Sequence, residues 1–179
     1  MKKNLALTVK AALTLCAAAA FCLGATVRAS DATNTETKSN LSTQDKRFVK
    51  KAYKGGITEV AYAKMAKEKA KDDATKNVAD RMITDHTKAN DRLMEIAKEE
   101  NLDLSKIEAK TTTISGENFD KEYLTMLKNN HEKTIAMFEK EAGDTGAKED
   151  SDVVKFAKET LPTLKEHHQM IDDALGKMK

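Results

Sequence analysis

Four histidines and one glutamate carry the chemistry available to this chain. His86 and His131 fall near the middle of two predicted helices, and Glu59 near the middle of another. His167 and His168 lie somewhat past the middle of the last helix. Where helices pack side by side their midpoints meet, so these residues can converge on one layer of the core. Imidazole is the commonest side-chain ligand for metals, and helical bundles build such sites from inward side chains. The expected ligands are Glu59, His86, His131, His167 and His168, for a transition metal such as Zn, Fe or Cu. A second chemistry is open to the same residues. A core histidine can instead bond a neighbouring acid or hydroxyl, here Asp85, Thr134, Tyr62 or Tyr123, and so fix register rather than hold an ion.

The spacing narrows the metal chemistry. A di-iron oxidase of the bundle type needs a Glu-x-x-His pair on each of two helices, plus single carboxylates on the others. Three residues before the four histidines stand Ile83, Lys128, Leu164 and Lys165, none of them acidic. The oxidase pattern therefore fails, and no catalytic residue is assigned. Copper draws some support from Met82, four residues before His86 on the same face, and from Met170, three after His167. Thioether with imidazole suits Cu(I), although methionine at such positions also serves as core filler.

The elements that must position these residues are helices throughout. There is one proline, and no stretch alternates with the period of a strand. Periodicity predicts helices over about 43–70, 73–100, 117–142 and 147–178. Ser42 and Asp45 form the expected cap of the first. Gly55 and Gly56 should loosen it, while Ile57, Val60, Ala61 and Met65 should line its second half. The second carries Ala79, Met82, His86, Ala89, Leu93 and Ile96 on one face; the third carries Leu124, Leu127, His131, Ile135 and Phe138. In the fourth, Val154, Ala157, Leu161, Leu164, His168, Ile171, Leu175 and Met178 alternate by three and four. That is the seam of a packed bundle helix. It selects His168 as inward and sets His167 ~80° away, nearer a neighbouring helix. Pro162 should kink this helix just before the histidines.

Two short connections make two antiparallel hairpins. Residues 101–116, at ~3.3 Å each when extended, can run the ~40 Å length of such a helix. The expected fold is all-α, a ferritin-like four-helix bundle with a long connection between its second and third helices. An up-down-up-down bundle with a long loop is the alternative.

Residues 1–29 read as a signal peptide: Lys2 and Lys3, an apolar run from Ala11 to Ala25, then Val27-Arg28-Ala29 for cleavage. Residues 30–42 are a polar, flexible leader, and 43–178 are the bundle. Leu15 before Cys16 and Phe21 before Cys22 do not suit lipidation. Cleavage removes Lys2, Lys3, Lys10 and Arg28, leaving 27 basic residues against 29 acidic ones. A slightly acidic chain with 4% aromatic residues and no Trp is a poor partner for nucleic acid. Both cysteines leave with the signal, which excludes thiolate sites and disulfides from the mature chain. Nothing left is apolar enough to span a membrane; the alternative to cleavage is an uncleaved anchor, for which an apolar run of about 15 to 17 residues is marginal. The expected location is periplasmic or secreted, with a cell-envelope protein as the class of partner.

Four segments carry a family resemblance: FVKKAYKGGITEVAYAKMA, ADRMITDHTKANDRLMEIA, FDKEYLTMLKNNHEKTIAMFEKEA and FAKETLPTLKEHH. In that order, over about residues 44–175, they resemble the exported bacterial proteins catalogued as domain of unknown function 4142 (DUF4142). The specific marks are Gly55-Gly56 before Glu59, the Asp85-His86 pair, Phe119-Asp120 ahead of His131, and Leu161-Pro162-x-Leu164-x-x-His167. The resemblance implies a ferritin-like bundle and supplies no reaction. It also aligns His167 where the apolar seam selects His168. The leading reading is an exported metal-binding or stress-protective bundle. The others are a metal-dependent oxidase or peroxide-handling protein, and a structural or interaction protein of the cell envelope whose histidines are internal.

Overall fold

Each helix begins where a short polar side chain takes up an N–H that would otherwise lack a partner. Ser42 and Asp45 close a reciprocal box at the start of α1 (Thr43–Lys69), each side chain accepting from the other's N–H at 3.1 Å. Asp72 caps α2 (Asp73–Glu99), Asn118 caps α3 (Phe119–Ala142) and Ser151 caps α4 (Asp152–Lys177). The computed structural model describes residues 39–114, 117–143 and 151–178. The expected signal peptide at 1–29 and the leader up to residue 38 lie outside the described residues. Of the leader's last residues, Asn40 donates its N–H to Glu100 and Leu41 packs on the core.

The four helices form one bundle in which α1 pairs with α2, α3 with α4, α2 with α4 and α1 with α3. Its direction of travel is set at the α1–α2 turn. The N–H groups of Lys71 and Asp72 donate to Asp120 at the start of α3. The third helix therefore begins at the end of the bundle where α1 stops, and α2 and α3 run in the same sense. The connection between them must travel the bundle's length, and it does so along α1. Leu104 joins the cluster around Phe48. Further on, Lys110 donates its N–H to Thr58 Oγ1, and Thr112 donates its own to the Tyr62 hydroxyl at 2.8 Å. This is the long-crossover arrangement.

The core has two apolar ends. Phe48, Leu93, Ile96, Phe138 and Phe156 fill one, with Phe48 meeting Phe138 edge to face at 4.9 Å. Tyr62, Met82, Tyr123, Leu124, Leu127 and Ile171 fill the other. A polar layer of Glu59, His86, His131 and His167 separates them.

The first helix turns a different face inward from the one its apolar residues suggest. Ile57, Val60, Ala61 and Met65 are only partly buried, while Ala52, Gly56, Glu59, Tyr62, Ala63 and Ala66 point into the core. Size and polarity decide this face rather than hydrophobicity. Gly56 faces the Asn90 side chain so closely that a Cβ there would stand 2.9 Å from Asn90 Cγ, and Glu59 belongs to the polar layer. Gly55 and Gly56 do not interrupt α1, and α4 continues through the exposed Pro162.

Candidate metal centre

Three histidines from three helices meet in the polar layer. The ring centroids of His86 on α2, His131 on α3 and His167 on α4 are 5.3 to 5.7 Å apart in pairs. One ring nitrogen from each lies within 4.8 Å of the other two, and all three residues are buried. Their helices bring them to one height because α2 and α3 start at the same end of the bundle and α4 returns against both.

Each ring has an oxygen at its back. The Leu127 carbonyl sits 3.1 Å from His131 Nδ1, and an oxygen that can only accept makes Nδ1 the protonated nitrogen. The Asp85 carboxylate sits 2.9 Å from His167 Nε2, which must likewise carry the proton. Glu59 Oε2 stands 2.8 Å from His86 Nε2, out of line for a hydrogen bond, so that both atoms stay unsatisfied. Glu59 Oε1 also lies 3.7 Å from His131 Nδ1.

The consequence falls on the inner nitrogens. His131 Nε2 and His167 Nδ1 face each other at 3.3 Å. With both outer nitrogens protonated, neither inner one has a hydrogen to offer in the neutral ring. Burial keeps the rings neutral: it holds His131 below its ordinary pKa and brings His167 down to about 4, against the pull of Asp85. Two lone pairs confronting each other in a dry core repel unless a cation lies between them. Two nitrogens bound to a tetrahedral metal at 2.0–2.1 Å stand about 3.3 Å apart. Metal-binding histidines usually donate their other N–H to a carboxylate or a backbone carbonyl, and both kinds of partner are present here. The donor set fits a transition metal.

The charges agree with that fit. Burial works to raise the Glu59 carboxyl, and the pull of His86 and His131 brings it below its ordinary value only when those rings carry charge; with the rings neutral, a cation in the layer would have to take that part. A buried ionised carboxylate needs a positive neighbour. Burial also acts to raise Asp85, and its hydrogen bonds to His167 and Arg81 overcome this and keep it low. Arg81, exposed on α2, thus anchors Asp85 from the solvent side, and Asp85 in turn anchors His167.

Of the five expected ligands, His86, His131 and His167 converge. Glu59 touches His86 and approaches His131, but stands outside the group whose ligand atoms gather. His168 does not join them. It is 25% exposed, with its nitrogens 3.5 Å from Glu132 and 3.4 Å from Asp172. The apolar seam pointed to His168 because it runs on through Leu175 and Met178, which are only partly buried. The buried arc of α4 turns instead through His167, Ile171 and Ala174, towards α2. Asn90 is a site residue that the pattern does not single out, and Asp85, an acid that a core histidine could bond, is not tied by it to His167. Asp85 lies on the flank of α2, and its role depends on a residue 82 positions away. Asn90 left a signal, a polar residue one turn beyond His86 on the inward face.

Comparison with known proteins gives a family and a fold. The model of the family described as "Domain of unknown function (DUF4142)" matches residues 30–174. None of the curated proteins matches the chain. The crystal structure of a DUF305 fragment from Deinococcus radiodurans is similar, with a TM-score of 0.64 at 11% identity, over 78% of this chain and 99% of that one. At that identity the likeness is one of fold.

Proposed function

Because this chain belongs to the DUF4142 family, whose description assigns no activity, we propose its function from the polar layer itself: an exported helical bundle that binds a transition metal. His86, His131 and His167 are the ligands. Glu59 is the buried charge that offsets the cation, and Asp85 and the Leu127 carbonyl fix the rings. The observation that carries the reading is the pair of inner nitrogens facing at 3.3 Å with both outer nitrogens held by acceptors. Three imidazoles without a thiolate suit Zn, Cu(II) or Fe(II), and affinity alone favours Cu(II). Export through the signal at residues 1–29 would carry the protein to the periplasm or beyond. A bundle of this kind holds metal there, as a store or as protection against its free form.

An oxidase of the di-iron type has little to build on, since the layer offers Glu59 as its carboxylate and no acid three residues before any histidine. Among the described residues no helix is long and apolar enough to cross a membrane.

Elemental analysis of the protein purified untagged and without chelator tests the reading. The expected result is about one transition metal per chain, absent from the His86→Ala/His131→Ala double variant while the helical circular dichroism persists. No metal in the purified protein, and none taken up on titration with Zn, Cu or Fe salts, would leave a polar cluster that only sets register.

A further inference from the structure

The polar layer opens on one side into a small pocket. Gly56, Glu59, His86, Asn90, Thr134 and Thr160 contribute to its wall, and its space is about 40 Å³. A water needs roughly 10–15 Å³ of such space, so the pocket takes a molecule of one or two heavy atoms and excludes an organic substrate.

Three buried atoms without hydrogen-bond partners belong to residues of that wall: Glu59 Oε2, His86 Nε2 and Asn90 Oδ1. Unpaired polar atoms at such depth are costly, and each asks for an explanation. Asn90 is 6% exposed and is admitted only because Gly56 has no side chain to meet it. His131 and His167, by contrast, have their outer nitrogens engaged by acceptors and their inner nitrogens turned towards each other, and neither residue lines the pocket. The unpartnered atoms that belong to the pocket wall, Glu59 Oε2, His86 Nε2 and Asn90 Oδ1, thus come from α1 and α2.

We infer that this pocket is a binding site for a small neutral O–H donor, water at rest and hydrogen peroxide as the ligand of matching size and polarity. Two of the three orphaned atoms are acceptors, a carboxylate and an amide oxygen, so the occupant must donate. The Glu59 charge selects against anions. Water and hydrogen peroxide each carry two O–H groups, one for each acceptor, and keep lone pairs for His86 or for a cation beside it. Three histidine ligands leave a fourth position of a tetrahedral metal to solvent. That the occupant also reaches a metal rests on the metal-binding reading above; the pocket itself does not.

Two measurements separate the claims. In the metal-free protein, oxygen-17 relaxation dispersion of water counts buried molecules with long residence. The wild type should show such a water, and Asn90→Leu, similar in shape but without an acceptor, should lose it. If that variant does not fold, Gly56→Ala closes the same pocket by pushing on the Asn90 amide. In the Cu(II)-loaded protein, water-proton relaxation should reveal a rapidly relaxing water at the metal, and the variant should fall to the level of copper shielded from solvent. A buried water lost in the variant, with no metal bound, would keep the pocket and remove the metal reading. Bound copper with no buried water and no proton relaxation, in wild type and variant alike, would overturn the pocket and leave the metal reading standing.

Discussion

Acid should loosen the metal-free bundle well before its carboxylates titrate, and His167 sets the scale. In the unfolded chain a histidine titrates near 6.5, whereas in the fold burial brings His167 down to about 4. Below pH 6.5 the unfolded state therefore binds a proton that the folded state refuses, and stability falls with pH. The contribution is intact above pH 6.5 and is lost progressively as pH drops towards 4. Between pH 7.5 and pH 5 the loss from His167 alone comes to about 2 kcal/mol. For a domain of this size that corresponds to roughly 6 °C in Tm. His131 is lowered as well and acts in the same direction. Asp85, depressed, holds its contribution down to its unfolded value of 3.8 and loses it below. The assay is thermal unfolding followed by circular dichroism on chelator-stripped protein at pH 7.5, 6.5, 5.5 and 5.0. His167→Gln runs beside it, since the amide can still donate to Asp85 but cannot titrate. The wild type should lose stability over this range and the variant should lose distinctly less. An equal drop in both proteins, or no drop in either, would refute the reasoning.

Asp85→Asn should lower metal affinity about 10- to 100-fold, the usual cost of removing an outer partner from a ligating histidine. Competition with a chromophoric chelator measures it, and an unchanged affinity would mean that Asp85 does not hold His167 for the metal. The two adjacent glycines should respond in opposite directions. Gly56→Ala places a methyl against the Asn90 side chain and should cost about 1–3 kcal/mol. Gly55→Ala meets nothing within 4 Å and should stabilise the helix by roughly 0.5–1 kcal/mol. Denaturant melts of the two variants read the difference directly, and equal effects would remove the close approach of α1 and α2 from the account.

Much of this bundle can be read along the chain, because helix signals are local. Ser42 with Asp45 announces the first cap, and three- and four-residue spacing of apolar residues marks the inward faces of α2 and α3 with His86 and His131 already in them. The length of the α2–α3 connection against that of a helix permits the crossover. What the chain hides is contact between distant segments. The inner face of α1 is built from Gly56, Glu59, Ala63 and Ala66, which no hydrophobic pattern would choose, because close approach and a polar layer require small or charged groups there.

His167 and His168 make the division plain. Type and spacing determine that the chain folds as four amphipathic helices, three of them with imidazoles at or near their middles, since capping and periodicity depend on residues a turn apart. They do not determine which of two neighbouring imidazoles enters the core. That choice rests on the Asp85 carboxylate of α2, on the buried arc of α4 turning towards that helix, and on the Leu127 carbonyl behind His131. Only the packed bundle brings these groups to within 3 Å or so of the rings, and it is the packed core, by excluding water, that keeps the rings neutral with their lone pairs facing inward.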